Sequence, residues 1–142
     1  MTIFHTPGHT PDEITIYDHA EMMLYVGDSL YEYEPIVFPR EGSIVTWFES
    51  MDFLSWHVEA MNSEASDGRK VQMNSGHHTV LQPALETLLA AKAFMKDVAN
   101  GKETVKERQQ NRGEEIVMYE QSGGRFSLRC PERLILEMRS KK

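Results

Sequence analysis

"FHTPGHTPDEITIYD", residues 4–18, holds two histidines four positions apart, His5 and His9. Helical spacing would stack them on one face, but Pro7 and Gly8 lie between them and do not belong in a helix interior. The pair therefore marks a rigid turn. A strand follows it, because Ile14 and Ile16 alternate with Thr15 and Tyr17. A histidine set on a turn at the end of a strand is held by the sheet beneath it, which is where ligands and catalytic groups are often found.

Two later stretches repeat that arrangement. "MMLYV" (22–26) is a short continuous apolar run that ends at Gly27-Asp28, so it predicts a buried strand with an aspartate at its tip. "KVQMNSGHHT" (70–79) predicts a strand with Val71 and Met73 inward, running into a second glycine–histidine turn at His77. If these strands are neighbours, His9, Asp28 and His77 converge on one sheet edge.

Helices are expected between and after them. Ser43 offers an N-cap, and Ile44, Phe48, Met51, Leu54, Val58 and Met61 recur at steps of three and four, an amphipathic helix of about five turns. Pro83 suits the start of a second helix, with Leu85, Leu88, Leu89, Lys92, Met95 and Ala99 on one side and Asn100-Gly101 as its C-cap. Residues 32–42, punctuated by Pro35 and Pro39, read as a loop. Residues 102–115 are almost wholly polar and read as a solvated helix or a linker. "IVMYEQSGGRFSLRC" (116–130) reads as a hairpin around Ser122-Gly123-Gly124, and the tail 132–142 fits helix or extended chain equally. Strands mixed with helices in this order predict an α/β fold, a mixed sheet with helices on one face.

The composition sets limits. The 142 residues suit one domain, and 40% apolar with 26% charged residues is a globular balance. A net charge of −7 argues against a nucleic-acid partner. No run is long enough for a membrane span. The single cysteine, Cys130, excludes an internal disulfide, makes a reducing cytoplasmic compartment the default, and reads as a small inert strand residue.

Imidazole nitrogen and carboxylate oxygen together suit zinc, iron or manganese. His9, Asp28 and His77 are the candidates. His5 is a neighbour of the turn, His19 a solvated turn residue and His57 a boundary residue of the first helix. His78 competes with His77 for one site, and Gly76 favours His77. Trp47, Trp56 and the methionines fit core packing. Tyr31 and Tyr33 stand close enough to Asp28 to line a pocket.

Taken together, "HTPGHTPD" (5–12), "LYVGDSLY" (24–31) and "NSGHHT" (74–79), in that order, resemble the metallo-β-lactamase superfamily of hydrolases over residues 3–99. The resemblance implies that His9 and His77 ligate metal, that Asp28 bridges two ions and can orient the attacking water, and that zinc is the cofactor. It implies hydrolysis of an ester, thioester, lactone or amide carbonyl in a small-molecule substrate by metal-bound hydroxide. That family also carries a His-x-His-x-Asp-His motif upstream, which this sequence lacks. The expectation is therefore the C-terminal half of an αββα sandwich (1–101) followed by a polar segment, a β-hairpin and a tail (102–142). Such a half would be incomplete as an enzyme and would leave one sheet face bare, which predicts a homo-oligomer or a complementing chain. The alternative is an inactive half-fold serving as an interaction module.

Overall fold

The computed structural model describes residues 1–77 and 79–141. Two mixed sheets and three helices share one apolar core, so the fold is mixed α/β as expected. The first sheet has the order β1-β2-β3-β5-β6, built from β1 (Thr2–His5), β2 (Ile14–Asp18), β3 (Met23–Tyr25), β5 (Gln72–Asn74) and β6 (Gln82–Pro83). The β3–β5 pairing is parallel and the others are antiparallel. The start of β2 therefore lies beside the ends of β3 and β5, and the turns carrying His9, Asp28 and His77 meet at one edge.

Alternation sorts the two faces of this sheet. Thr15, Tyr17, Leu24 and Met73 are buried, and the last three join the side chains of the helices. The opposite face stays open: Ile3 is 65% exposed, Ile14 46% and Tyr25 41%, with Ile3, Ile16 and Tyr25 in register across three strands.

Helix α1 (Ile44–Glu64) begins where the sequence predicts, with the Thr46 amide donating to Ser43 Oγ at 3.2 Å. Its buried stripe is Ile44, Trp47, Met51, Leu54 and Val58. Trp47 fills the core and donates Nε1–H to the Ser29 carbonyl at 2.8 Å. Trp56, expected in the core, is instead 68% exposed, because it falls on the outer face of the same helix. Helix α2 (Ala84–Ala99) buries Ala84, Leu88, Ala91, Phe94, Met95 and Val98. This stripe is rotated from the expected one, so Leu89 faces solvent and Phe94 takes its place in the core. Asn100 caps the helix, and Gly101, at φ +74°, reverses the chain.

The second sheet has the order β4-β9-β8-β7, from β4 (Pro35–Val37), β9 (Ser127–Pro131), β8 (Glu114–Glu120) and β7 (Glu107–Asn111). The hairpin β8–β9 forms where expected. Residues 107–111 pair with it as an exposed strand rather than a helix or linker. Pro35–Val37, read as loop, adds to β9 in parallel as the sheet's edge, a position that tolerates proline. The tail folds as α3 (Glu132–Ser140), burying Leu134, Ile135 and Met138. Cys130 is buried, and burial pushes its thiol up to about 12.

Candidate metal centre

The turn at residues 7–9 is clamped onto α1. The Ser43 amide donates to the Gly8 carbonyl at 2.8 Å, and Ser50 Oγ donates to the Pro7 carbonyl at 2.7 Å. Gly8 sits at φ +149°, and a Cβ there would stand 2.6 Å from Trp47 Cα. Only glycine lets the turn lie this close to the helix. The clamp fixes where His9 projects.

His9 Nδ1 lies 2.5 Å from the Val37 carbonyl oxygen. A carbonyl can only accept, so Nδ1 carries the ring proton, and in the neutral ring Nε2 presents a lone pair. That lone pair faces Asp28 Oδ2 at 3.9 Å. The other oxygen of Asp28, Oδ1, accepts from the Tyr31 hydroxyl. Burial first, and this bond to the carboxylate second, raise the Tyr31 hydroxyl pKa well above the ordinary tyrosine range, so it remains a donor. Gly76 closes over the pair. A Cβ at that position would meet both Asp28 Oδ1 and Tyr31 Oη at 2.8 Å.

His77 stands on the same cleft. Its Nδ1 lies 3.1 Å from Glu34 Oε2, and its ring stacks on Tyr31 with centroids 4.6 Å apart. His9, Asp28, Tyr31, Glu34, Val37, His77 and Arg129 all line one open cleft of 310 Å³. His78, set aside in favour of His77 in the sequence reading, lies outside the described residues. His5 is turned away, with Nε2 donating to the Pro11 carbonyl at 2.8 Å, and His19 bonds Thr2 on the surface.

The arrangement has the character of ligands held by partners. A metal-binding histidine ordinarily gives its other ring N–H to a carbonyl or carboxylate, which sets the tautomer and aims the ligating nitrogen. His9 has the Val37 carbonyl in that role, and His77 Nδ1 makes an ion-pair contact with Glu34 at 3.1 Å. With Nε2 unprotonated, its lone pair and the carboxylate 3.9 Å away leave room for a proton or a metal cation between them. Two ligands of one tetrahedral zinc ion stand about 3.3 Å apart, so this pair would close by roughly half an ångström on an ion. The donor chemistry therefore fits zinc. The number does not complete a centre: no three His, Cys, Asp or Glu side chains among the described residues come close enough to hold an ion.

Tyr31 is the pocket residue that proximity in sequence suggested. Tyr33 instead lines an adjoining cleft with Glu32, Glu34, Thr79, Val80 and Gln82. Glu34, the Val37 carbonyl and Arg129 were not visible beforehand. Glu34 and Val37 lie in a proline-punctuated stretch without periodicity, and Arg129 arrives through the pairing of β9 with β4, a long-range contact that no local pattern announces.

The mixed α/β scaffold thus brings two histidines and an aspartate from strand-end turns to one cleft. The sequence profile of the metallo-beta-lactamase superfamily matches residues 1–92, and the chain belongs to that superfamily. It is also similar to "Putative transcription factor avaE" of Aspergillus versicolor, with 26% identity over 148 residues that cover 98% of this chain and 41% of that protein. The chain thus spans about two-fifths of the length of this curated relative.

Proposed function

We propose that this chain carries part of the metal centre of a hydrolase that cleaves an ester, thioester, lactone or amide carbonyl in a small molecule. The observation that carries this reading is the facing pair of His9 Nε2 and Asp28 Oδ2, 3.9 Å apart, each with its remaining polar atom anchored by Val37 or Tyr31. Zinc, when bound, would supply Lewis-acid activation of water and of the carbonyl. The chain's own residues do the rest. Val37 fixes the His9 tautomer, Tyr31 and Gly76 fix the Asp28 carboxylate, and Glu34 orients His77. Substrate enters the open cleft between β4 and the turn at His77. A panel of chromogenic ester, thioester, lactone and amide substrates, assayed with and without added zinc, tests the reading. Zinc-dependent turnover lost in His9→Ala and Asp28→Asn is expected; turnover that survives Asp28→Asn refutes it.

A second reading is an interaction module without catalysis. The bare face with Ile3, Ile14 and Tyr25 favours it, because contiguous exposed apolar surface commonly marks an interface. The same face supports association with a second copy or a complementing chain under either reading. The name of the fungal relative speaks of transcription; the net charge of −7 on this chain does not favour contact with nucleic acid. A stable oligomer with neither zinc uptake nor turnover would mark the module.

A further inference from the structure

The cleft holds one cation that none of the groups above explains. Arg129 lies in the middle of β9, hydrogen-bonded on both sides, opposite Val37 of β4 and Met118 of β8. Its backbone is as fixed as the sheet. Its carbonyl accepts from the Phe38 amide at 3.0 Å, just beyond the residue that anchors His9. Arg129 is exposed and lines the same cleft as His9, Asp28 and His77, and also a second cleft lined by Arg40, Arg112 and Glu114. Its side-chain contact is a weak one, Nη2 to Met118 Sδ at 3.7 Å. Four other arginines are hydrogen-bonded to acids, while Arg139 bonds the Val98 carbonyl instead. Arg125 bonds Glu32 and Glu86, Arg108 bonds Glu132, Arg133 bonds Glu114 and Arg69 bonds Asp67. Arg129 has no carboxylate within 4 Å among the described residues, although Glu34 lines the same cleft, where it meets His77.

A planar guanidinium on a rigid strand, unmatched and facing a cleft, is suited to grip an oxyanion with two parallel N–H bonds. Two carboxylates, Asp28 and Glu34, already line the cleft, so each added negative charge is opposed, and a monoanion is favoured over a dianionic phosphate. We propose that Arg129 is the specificity residue of the cleft and that the substrate carries a carboxylate beyond its scissile carbonyl. This rests on the cleft being the substrate site of the proposed hydrolase.

The test uses the chain freed of metal with EDTA, so that its outcome is independent of zinc. The arginine Nε–Hε resonances are followed by NMR at constant ionic strength while acetate or inorganic phosphate is added. The expected result is a saturable shift of the Arg129 resonance with acetate, stronger than with phosphate. Followed at the Val37 and Met118 amides, apparent affinity should fall about tenfold or more in Arg129→Gln and less in Arg129→Lys, which keeps the charge and loses the fork. An unmoved Arg129 resonance, or acetate shifts at Val37 and Met118 that persist in Arg129→Gln, overturns the proposal. Phosphate binding without acetate binding overturns the carboxylate. A chain that binds acetate through Arg129 but never takes up zinc keeps the anion site and loses the hydrolase.

Discussion

Gly8 and Gly76 confine the candidate site for different reasons. At Gly8 both backbone and space forbid a side chain: φ is +149° and the Cβ would strike Trp47 Cα at 2.6 Å. Gly8→Ala should cost about 2–3 kcal/mol of stability, read from urea unfolding, and displace His9 with the turn. At Gly76 the closest contacts would be Asp28 Oδ1 and Tyr31 Oη at 2.8 Å, with the Gly27 carbonyl at 3.4 Å. Gly76→Ala should therefore spare the fold and weaken zinc binding about tenfold or more, because the carboxylate loses its set position. Cys130 is the opposite case, a residue with chemistry on paper and none in place. Buried in β9 with its thiol pushed up to about 12, it should resist a disulfide exchange reagent at pH 8 in the native chain and react promptly in urea. At this scale the sequence showed much. Pro7-Gly8 before His9, Gly27 before Asp28 and Gly76 before His77 are local signals, and the structure brings all three turns to one cleft. The partners of those residues were hidden because a carbonyl such as that of Val37 has no sequence signature.

Among the elements, the loop from Tyr31 to Glu34 depends on the hairpin most. Arg125 donates Nε–H to Glu32 at 2.7 Å and grips Glu86 of α2 with two bonds of 2.7 and 2.9 Å, while its own carbonyl accepts from the Tyr33 amide at 2.7 Å. One side chain thus ties the site loop, α2 and the β8–β9 turn together. Arg125→Met leaves the largely buried Glu32 carboxylate unpaired and should cost about 2–3 kcal/mol at neutral pH. The Arg125 guanidinium holds the Glu86 carboxyl below its ordinary range. A lowered folded pKa gives stability that is present above the unfolded value of 4.5 and is lost as pH falls through the folded one. The gap in Tm between wild type and Arg125→Met should therefore narrow as pH drops below about 4.5; a constant gap would remove Glu86 from the account. The core helices were legible through their period. β4 and β7 were not, since a three-residue strand between prolines and a wholly exposed strand lack the alternation that announces burial.

For the whole molecule the open face of the first sheet is the feature of most consequence. Ile3, Ile14 and Tyr25 lie on one surface, and covering them would return roughly 25 cal/mol for each Å² removed from water. Sedimentation should show self-association that Ile3→Lys combined with Ile14→Lys abolishes without unfolding the chain; a monomer at every concentration would leave that face to a different chain. The half-buried character of β2 was legible in the alternation of Ile14 and Ile16 with Thr15 and Tyr17. What no local pattern could give is how residues 107–140 wrap back to place Val37 and Arg129 beside His9. Calorimetric titration of the metal-free chain with zinc reads whether His9 and Asp28 hold a cation between them. Saturable uptake near one ion per chain is expected, weakened about tenfold or more by His9→Ala and by Asp28→Asn and unchanged by His5→Ala. No uptake, or uptake indifferent to Asp28→Asn, would contradict that expectation.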